Sequence, residues 1–422
     1  MLKQTLMICG LLLGGVAVER AAAASFDQHN LDHPVVKPGI EVLLSEKKYF
    51  KAISGKNIGL ITNPTGVDSK LHSTIDLLHE RSDVHLVRLF GPEHGVRGDA
   101  YAGDHVADLV DARTGIDEKS LYGKTRRPPQ EYLDGLDVVI YDIQDVGSRS
   151  YTYIYTMAYT MEECGKRGIP FLVLDRPNPC GDTVSGNILN PEEYSSFVGL
   201  YPIAYQYGMT PGEVAWMFNE KFNKVKCDLT VVPMRNYKRK MMQWDTGLPW
   251  VMSSPNIPDA ETATYYNLTG IIGELPSFNI GANYTFPFRA VGAVWLDENK
   301  FVDAMRAKNL PGIMFRPLTY KPFAGPQKDQ VVHGAQMIIS DYHKIQPVEV
   351  QIHMMEVLQK QYGDQGVFSD ESIGKSLFDQ VLGTKSIRRR ILAGESADSI
   401  IAGYQEDLEK FKKLRKEYLI YR

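Results

Sequence analysis

Four apolar runs in the first half of the chain share one design. "KNIGLITNPTG" carries Ile58 to Ile61 and then Thr62, Asn63 and Pro64, while "VHLVRLFGPEHG" turns from six largely apolar residues into Gly, Pro, Glu and His. "LDVVIYDIQDVG" ends in Asp142, Gln144 and Asp145, and "IPFLVLDRPNP" in Asp175, Arg176 and Asn178. Short continuous apolar runs bounded by turn residues predict buried strands, with the polar groups at their C-terminal ends. Helical spacing follows in "STIDLLHERS" and in "YTYIYTMAYTMEECGKRG", where Gly168 is a natural stop. "TPGEVAWMFNEKF" opens with Thr210 to cap and Pro211 to take the first turn, and "KCDLTVVPM" reads as a fifth strand. Alternating strand and helix predict an α/β fold, a doubly wound and mostly parallel sheet covered by helices.

The second half has a different rhythm. Residues 241–288, rich in Pro, Asn, Gly and aromatics, read as an irregular connection lining a cleft. "AVGAVWLD", "GIMFRPLTY" and "VVHGAQMIISD" then read as strands, and "PVEVQIHMMEVLQKQYG" and the C-terminal "SADSIIAGYQEDLEKFKKLRKEYLIYR" as amphipathic helices. A smaller α+β domain over 289–422 follows from this, beside a larger domain over 25–240. The basic run "KKLRKEY" reads as a solvated helix face.

Composition narrows the function. The chain has 422 residues, 43% hydrophobic and 23% charged, and a formal net charge of −4, which offers no basic field to nucleic acid. Lys3, an apolar stretch to Val18 and the small residues before Ser25 predict a signal peptide over 1–24, hence export to the periplasm or medium without a lasting membrane anchor. Beyond it stand three cysteines, Cys164, Cys180 and Cys227, too few for a disulfide scaffold. No G-x-G-x-x-G follows the first strand, "GKT" at Gly123 lacks the glycine of a phosphate loop, and no G-x-S-x-G elbow exists. No nucleotide and no cofactor is expected. Glu93, His94, Asp99, Asp104, His105 and Asp108 crowd together without any zinc-ligand spacing, so no metal is expected either.

What remains is carboxylate chemistry at the sheet's rim, where open α/β sheets bind ligands. Glu93, between Pro92 and His94 at a strand end, is the candidate general acid, and Asp142 and Asp145 end a strand from which they could face it. Paired carboxylates in a groove with Tyr, Arg and Asn suit cleavage of a glycosidic bond. Tyr151, Tyr153 and Tyr155, at spacing two, cannot share one helix face, so at least one lines the cleft or packs on the sheet.

"GLITNPTGV", "GPEHGVRGD", "DIQDVGSRSYTYI", "VLDRPNP", "YGMTPGE", "TGLPWVMSSPNIP" and the ending "EKFKKLRKEYLIYR", in this order, resemble the exo-β-N-acetylmuramidases of peptidoglycan salvage. The resemblance implies a Rossmann-like catalytic domain, a smaller C-terminal domain, and release of N-acetylmuramic acid from the non-reducing end of peptidoglycan-derived saccharides. It implies a site of Glu93 and Asp142 with Asn63, His94, Arg97, Asp145, Arg149, Tyr153, Asp175, Arg176, Asn178 and Asn256 around them. Arg97, Arg149 or Arg176 would meet the lactyl carboxylate that distinguishes muramic acid. Where many members of the family carry S-E-G-R-G-T-T-R-P-F-E, this chain reads "NIGANYTFPFR". Ile280 and Ala282 replace the Glu and Arg of that run, and Tyr284 is the candidate for a catalytic role there, since some glycosidases use a tyrosine nucleophile. The altered loop also keeps open an exported saccharide-binding protein without catalysis.

Overall fold

The computed structural model describes residues 34–422 apart from 102, 105, 106, 283, 326 and 375. The expected signal peptide therefore lies outside the described residues, as does His105. Among the described residues no helix is long and apolar enough to cross a membrane, and no group of three His, Cys, Asp or Glu side chains is placed to hold a metal ion.

The apolar runs form a seven-stranded sheet. Its strands are β1 (Asn57–Thr62), β2 (His85–Gly91), β3 (Leu109–Val110), β4 (Asp117–Ser120), β5 (Val138–Asp142), β6 (Phe171–Leu174) and, after a two-stranded hairpin of β7 (Ser185–Ile188) and β8 (Ala204–Gln206), β9 (Leu229–Val232). The order β3-β4-β2-β1-β5-β6-β9 is parallel except for the edge pair β3–β4. Every residue of β5 and β6 is buried, which is why these strands read as continuous apolar runs rather than alternating ones. The order turns back on either side of β1 and β5, so the carboxyl ends of β2, β1 and β5 open a crevice.

The helix signals act as their chemistry requires. Gly168 ends the helix Tyr153–Arg167 in the left-handed conformation, at φ 66°. Thr210 and Glu213 form a reciprocal capping box on Pro211–Met217, with Pro211 in the first turn. The C-terminal sheet is antiparallel, in the order β10 (Ala290–Ala293), β12 (Val332–Ile339), β11 (Ile313–Tyr320), and the helix Pro347–Tyr362 follows it.

Two features depart from the sequence expectations. The connection over 241–288 contains a helix, Ala260–Thr269, capped by Asp259; it is buried on most of its surface and so has no polar stripe to reveal it. The basic run near the C-terminus is not wholly a solvated face. Arg415 is buried and donates to the carbonyl of Gly208 at 2.7 Å, and beyond it the chain returns to the first domain, where Tyr421 lies against Tyr237.

Candidate active site

The loop after β2 is shaped by its glycines. Gly95 and Gly98 have φ of 79° and 76°, and His94 itself sits at φ 71°, a conformation uncommon outside glycine. His94 is buried, and its Nδ1 lies 2.9 Å from the carbonyl of Ala100, so the ring is held by its own loop. This tight fold turns Glu93 outward into a cavity of about 350 Å³. Its walls include His94 and Gly103, Ser150 to Thr152, Ser254 to Ile257, and Tyr266, Glu274, Phe288, Leu377 and Val381 from the second half of the chain.

Glu93 is an acceptor on both oxygens. Thr152 Oγ1 donates to Oε2 at 2.7 Å and the Gly103 amide to Oε1 at 3.1 Å. Tyr122 lines the same cavity, and burial, then the charge of Glu93, push its phenol up to about 12. Glu274 is its opposite: no described residue donates a hydrogen bond to its carboxyl, and burial raises it to about 7.

Asn63 and Tyr153 support this cavity from outside. Asn63 Nδ2 approaches the Ser253 carbonyl at 3.5 Å, and Tyr153 donates to the same oxygen at 2.6 Å. Tyr151 donates to Ser253 Oγ at 3.0 Å and lines the cavity, whereas Tyr155 donates to the Arg149 carbonyl at 2.7 Å. The three tyrosines thus point to three places, and two of them fix the turn that presents Asn256 to the cavity.

The other predicted site residues do not reach the cavity. Asp142 is fully buried, ion-paired with Arg176 through Nε at 2.5 Å and Nη2 at 3.0 Å. Arg149 is also fully buried; it has no carboxylate partner among the described residues and donates to the carbonyls of Asn187, Ile203, Val381 and Leu382, joining the β7–β8 hairpin to the C-terminal domain. Burial lowers its guanidinium to about 10. Arg97 is half-exposed and pairs with Asp111 at 2.7 Å. Arg149 and Arg176 are occupied by the fold, because a buried guanidinium must satisfy its donors within the protein, and Arg97 is held by its ion pair with Asp111.

Asp145 accepts from the Gly147 amide at 2.7 Å and from the Tyr207 hydroxyl, and burial raises it to about 6. Asp175 accepts from Thr210 Oγ1, the Gly212 amide and Tyr421, and burial, then the neighbouring Glu213, raise it to about 7. Asn178 donates to the Met209 carbonyl at 3.0 Å and accepts from the Cys180 amide. Tyr284 packs on Phe286, Tyr320 and Phe323 in a satellite aromatic cluster, and from the divergent loop it is Phe288 that lines the cavity.

A larger cleft, of about 670 Å³, lies between Asn187–Asn190 and the C-terminal helices. Its one acid, Asp407, pairs with Lys410 at 3.1 Å, so we place the chemistry in the smaller cavity, where two carboxyl groups face a common space.

Fold and site together define an α/β enzyme with a carboxyl-bearing cavity at the carboxyl ends of its parallel strands. The chain belongs to the exo-β-N-acetylmuramidase family, a family of glycoside hydrolases: the N-terminal model of the exo-beta-N-acetylmuramidase NamZ matches residues 58–261 and the C-terminal model residues 264–421. The peptidoglycan beta-N-acetylmuramidase NamZ of Bacillus subtilis (strain 168) is 43% identical over 415 residues, 98% of either chain. Two solved DUF1343 family proteins of Bacteroides fragilis NCTC 9343 share the fold. One has a TM-score of 0.85 at 43% identity and the other 0.72 at 30%, each covering 92% of this chain and 99% of its own.

Glu274 is a cavity-lining acid that the sequence did not single out. Its signal was a single acid in the otherwise uncharged stretch "LTGIIGELPSFNIG".

Proposed function

We propose that this chain is an exo-acting β-N-acetylmuramidase that releases N-acetylmuramic acid from the non-reducing end of peptidoglycan fragments. The observation that carries this reading is the cavity itself, a small space with Glu93 and Glu274 in its walls and aromatic faces from Tyr151, Tyr266 and Phe288. At about 350 Å³ it lies near the lower end of the range for small-molecule sites, roughly 300–1,000 Å³, and suits a single terminal sugar better than a threaded glycan. Family membership adds the chemistry, hydrolysis of a glycosidic bond by carboxyl groups. Incubation with the disaccharide of N-acetylmuramic acid β-linked to N-acetylglucosamine should yield both free sugars. Binding of the disaccharide without turnover would instead make the protein a saccharide receptor.

Export belongs to the same proposal, supported by the character of residues 1–24. The N-terminus of protein recovered from a periplasmic or culture fraction should lie near Ser25; an intact Met1 would contradict export by cleavage.

A further inference from the structure

Cleavage of a glycosidic bond needs a proton for the departing oxygen and negative charge beside the anomeric carbon, and the cavity offers two carboxyl groups in contrasting surroundings. We propose that Glu274 is the general acid and Glu93 its ionised partner, which reverses the role that the sequence reading gave to Glu93. The inference rests on the glycosidase reading above.

Hydrogen-bond geometry carries it. The carboxylate of Glu93 accepts from Thr152 Oγ1 on one oxygen and from the Gly103 amide on the other, so both oxygens are engaged as acceptors. An ionised carboxylate is an acceptor only, and a protonated one must spend an oxygen as a donor. Glu274 receives no hydrogen bond from any described residue, and no cation among the described residues acts on it to favour a charge. Its titratable neighbours are the phenols of Tyr205 on β8 and Tyr266 on the helix Ala260–Thr269, and its own charge raises both. The helix Phe378–Leu382, packed on the same turn, contributes one acid, Asp379, which is ion-paired with Arg388 at 2.8 Å. Burial alone raises Glu274 to about 7, where a proton is both held and transferable.

In the reaction Glu274 gives its proton to the glycosidic oxygen as the bond from that oxygen to C1 breaks, and the second sugar leaves as a neutral alcohol. Glu93 carries the negative charge that faces the positive charge developing at C1. Water, the co-reactant, adds its oxygen to C1, and the proton it loses returns to the carboxyl pair.

The test compares two substrates, the muramyl disaccharide and 2,4-dinitrophenyl β-N-acetylmuramide, whose phenolate departs without protonation. Glu274→Gln should lose about 10²- to 10⁴-fold in kcat/KM on the disaccharide and little on the dinitrophenyl substrate. Glu93→Gln should lose activity on both. The unaltered enzyme supplies a readout independent of folding. Its kcat/KM for the disaccharide should fall as pH rises through about 7, and for the dinitrophenyl substrate it should not. Equal pH limbs for both substrates, near-normal disaccharide turnover in Glu274→Gln, or a substrate-selective loss in Glu93→Gln would each overturn the assignment. An unaltered enzyme that cleaves neither substrate would overturn the muramidase reading instead.

Discussion

Arg176 grips Asp142 with two parallel hydrogen bonds, from Nε at 2.5 Å and from Nη2 at 3.0 Å, with both side chains out of reach of solvent. Thr74 donates to the same carboxylate, and Arg176 Nη2 also reaches the Val67 carbonyl at 2.8 Å. The pair therefore clamps the ends of β5 and β6 to the loop after β1. Breaking a buried pair on one side leaves an uncompensated charge, at a cost of about 3–5 kcal/mol. Asp142→Asn should lower stability to urea by that order, with activity lost only in proportion to the unfolded fraction. A thousandfold loss of kcat in a variant as stable as the unaltered chain would return Asp142 to the chemistry.

Arg149 yields a second prediction. Its guanidinium holds four carbonyls from three segments, and Arg149→Met would strip the donors from all of them. Each buried acceptor left unsatisfied costs about 1–3 kcal/mol. The melting temperature should fall sharply, and the folded fraction should keep its preference for muramyl over N-acetylglucosaminyl substrates. A variant of normal stability that lost this preference would show that Arg149 reads the lactyl group after all.

Stability should also depend on pH, with a sign fixed by burial. Asp145 is raised to about 6, and no described residue donates to its Oδ1, which can carry the proton. Between about pH 4 and 6 the unfolded chain has released this proton and the folded chain still holds it, so folding grows less favourable as pH rises through that window. The chain should thus gain resistance to urea from pH 7.5 down to pH 5.5, before other carboxylates are protonated. In Asp145→Asn, which mimics the protonated side chain, this gain should shrink. An equal or steeper gain in the variant would contradict the assignment.

The rim clusters were legible in sequence because buried parallel strands read as unbroken apolar runs, and polar residues at their ends stand out. The inward or outward direction of each was not legible. Glu93 and Asp142 both follow apolar strands, yet a left-handed His94 and two glycines turn the first into the cavity, while Arg176 draws the second beneath it. That choice is made by partners more than 30 positions away in sequence, such as Arg176 for Asp142 and Thr152 for Glu93. The surroundings of Tyr284 were not legible for a similar reason: it packs against Tyr320 and Phe323, an aromatic neighbourhood that local sequence does not announce. Glu274 escaped because a lone acid in an apolar stretch looks like a surface residue until the helix Ala260–Thr269 and the C-terminal helices close around it.

The cavity around Glu93 as the place of glycosidic cleavage is most directly tested by the rate at which Glu93→Gln releases N-acetylmuramic acid from the muramyl disaccharide. The substitution preserves shape and removes the charge. It should leave the melting temperature within a few degrees of the unaltered enzyme and, by removing the charge that stabilises the transition state, reduce kcat by about 10²-fold or more. Turnover within a few-fold of normal, in a variant that is equally folded, would contradict the claim that this cavity performs the reaction.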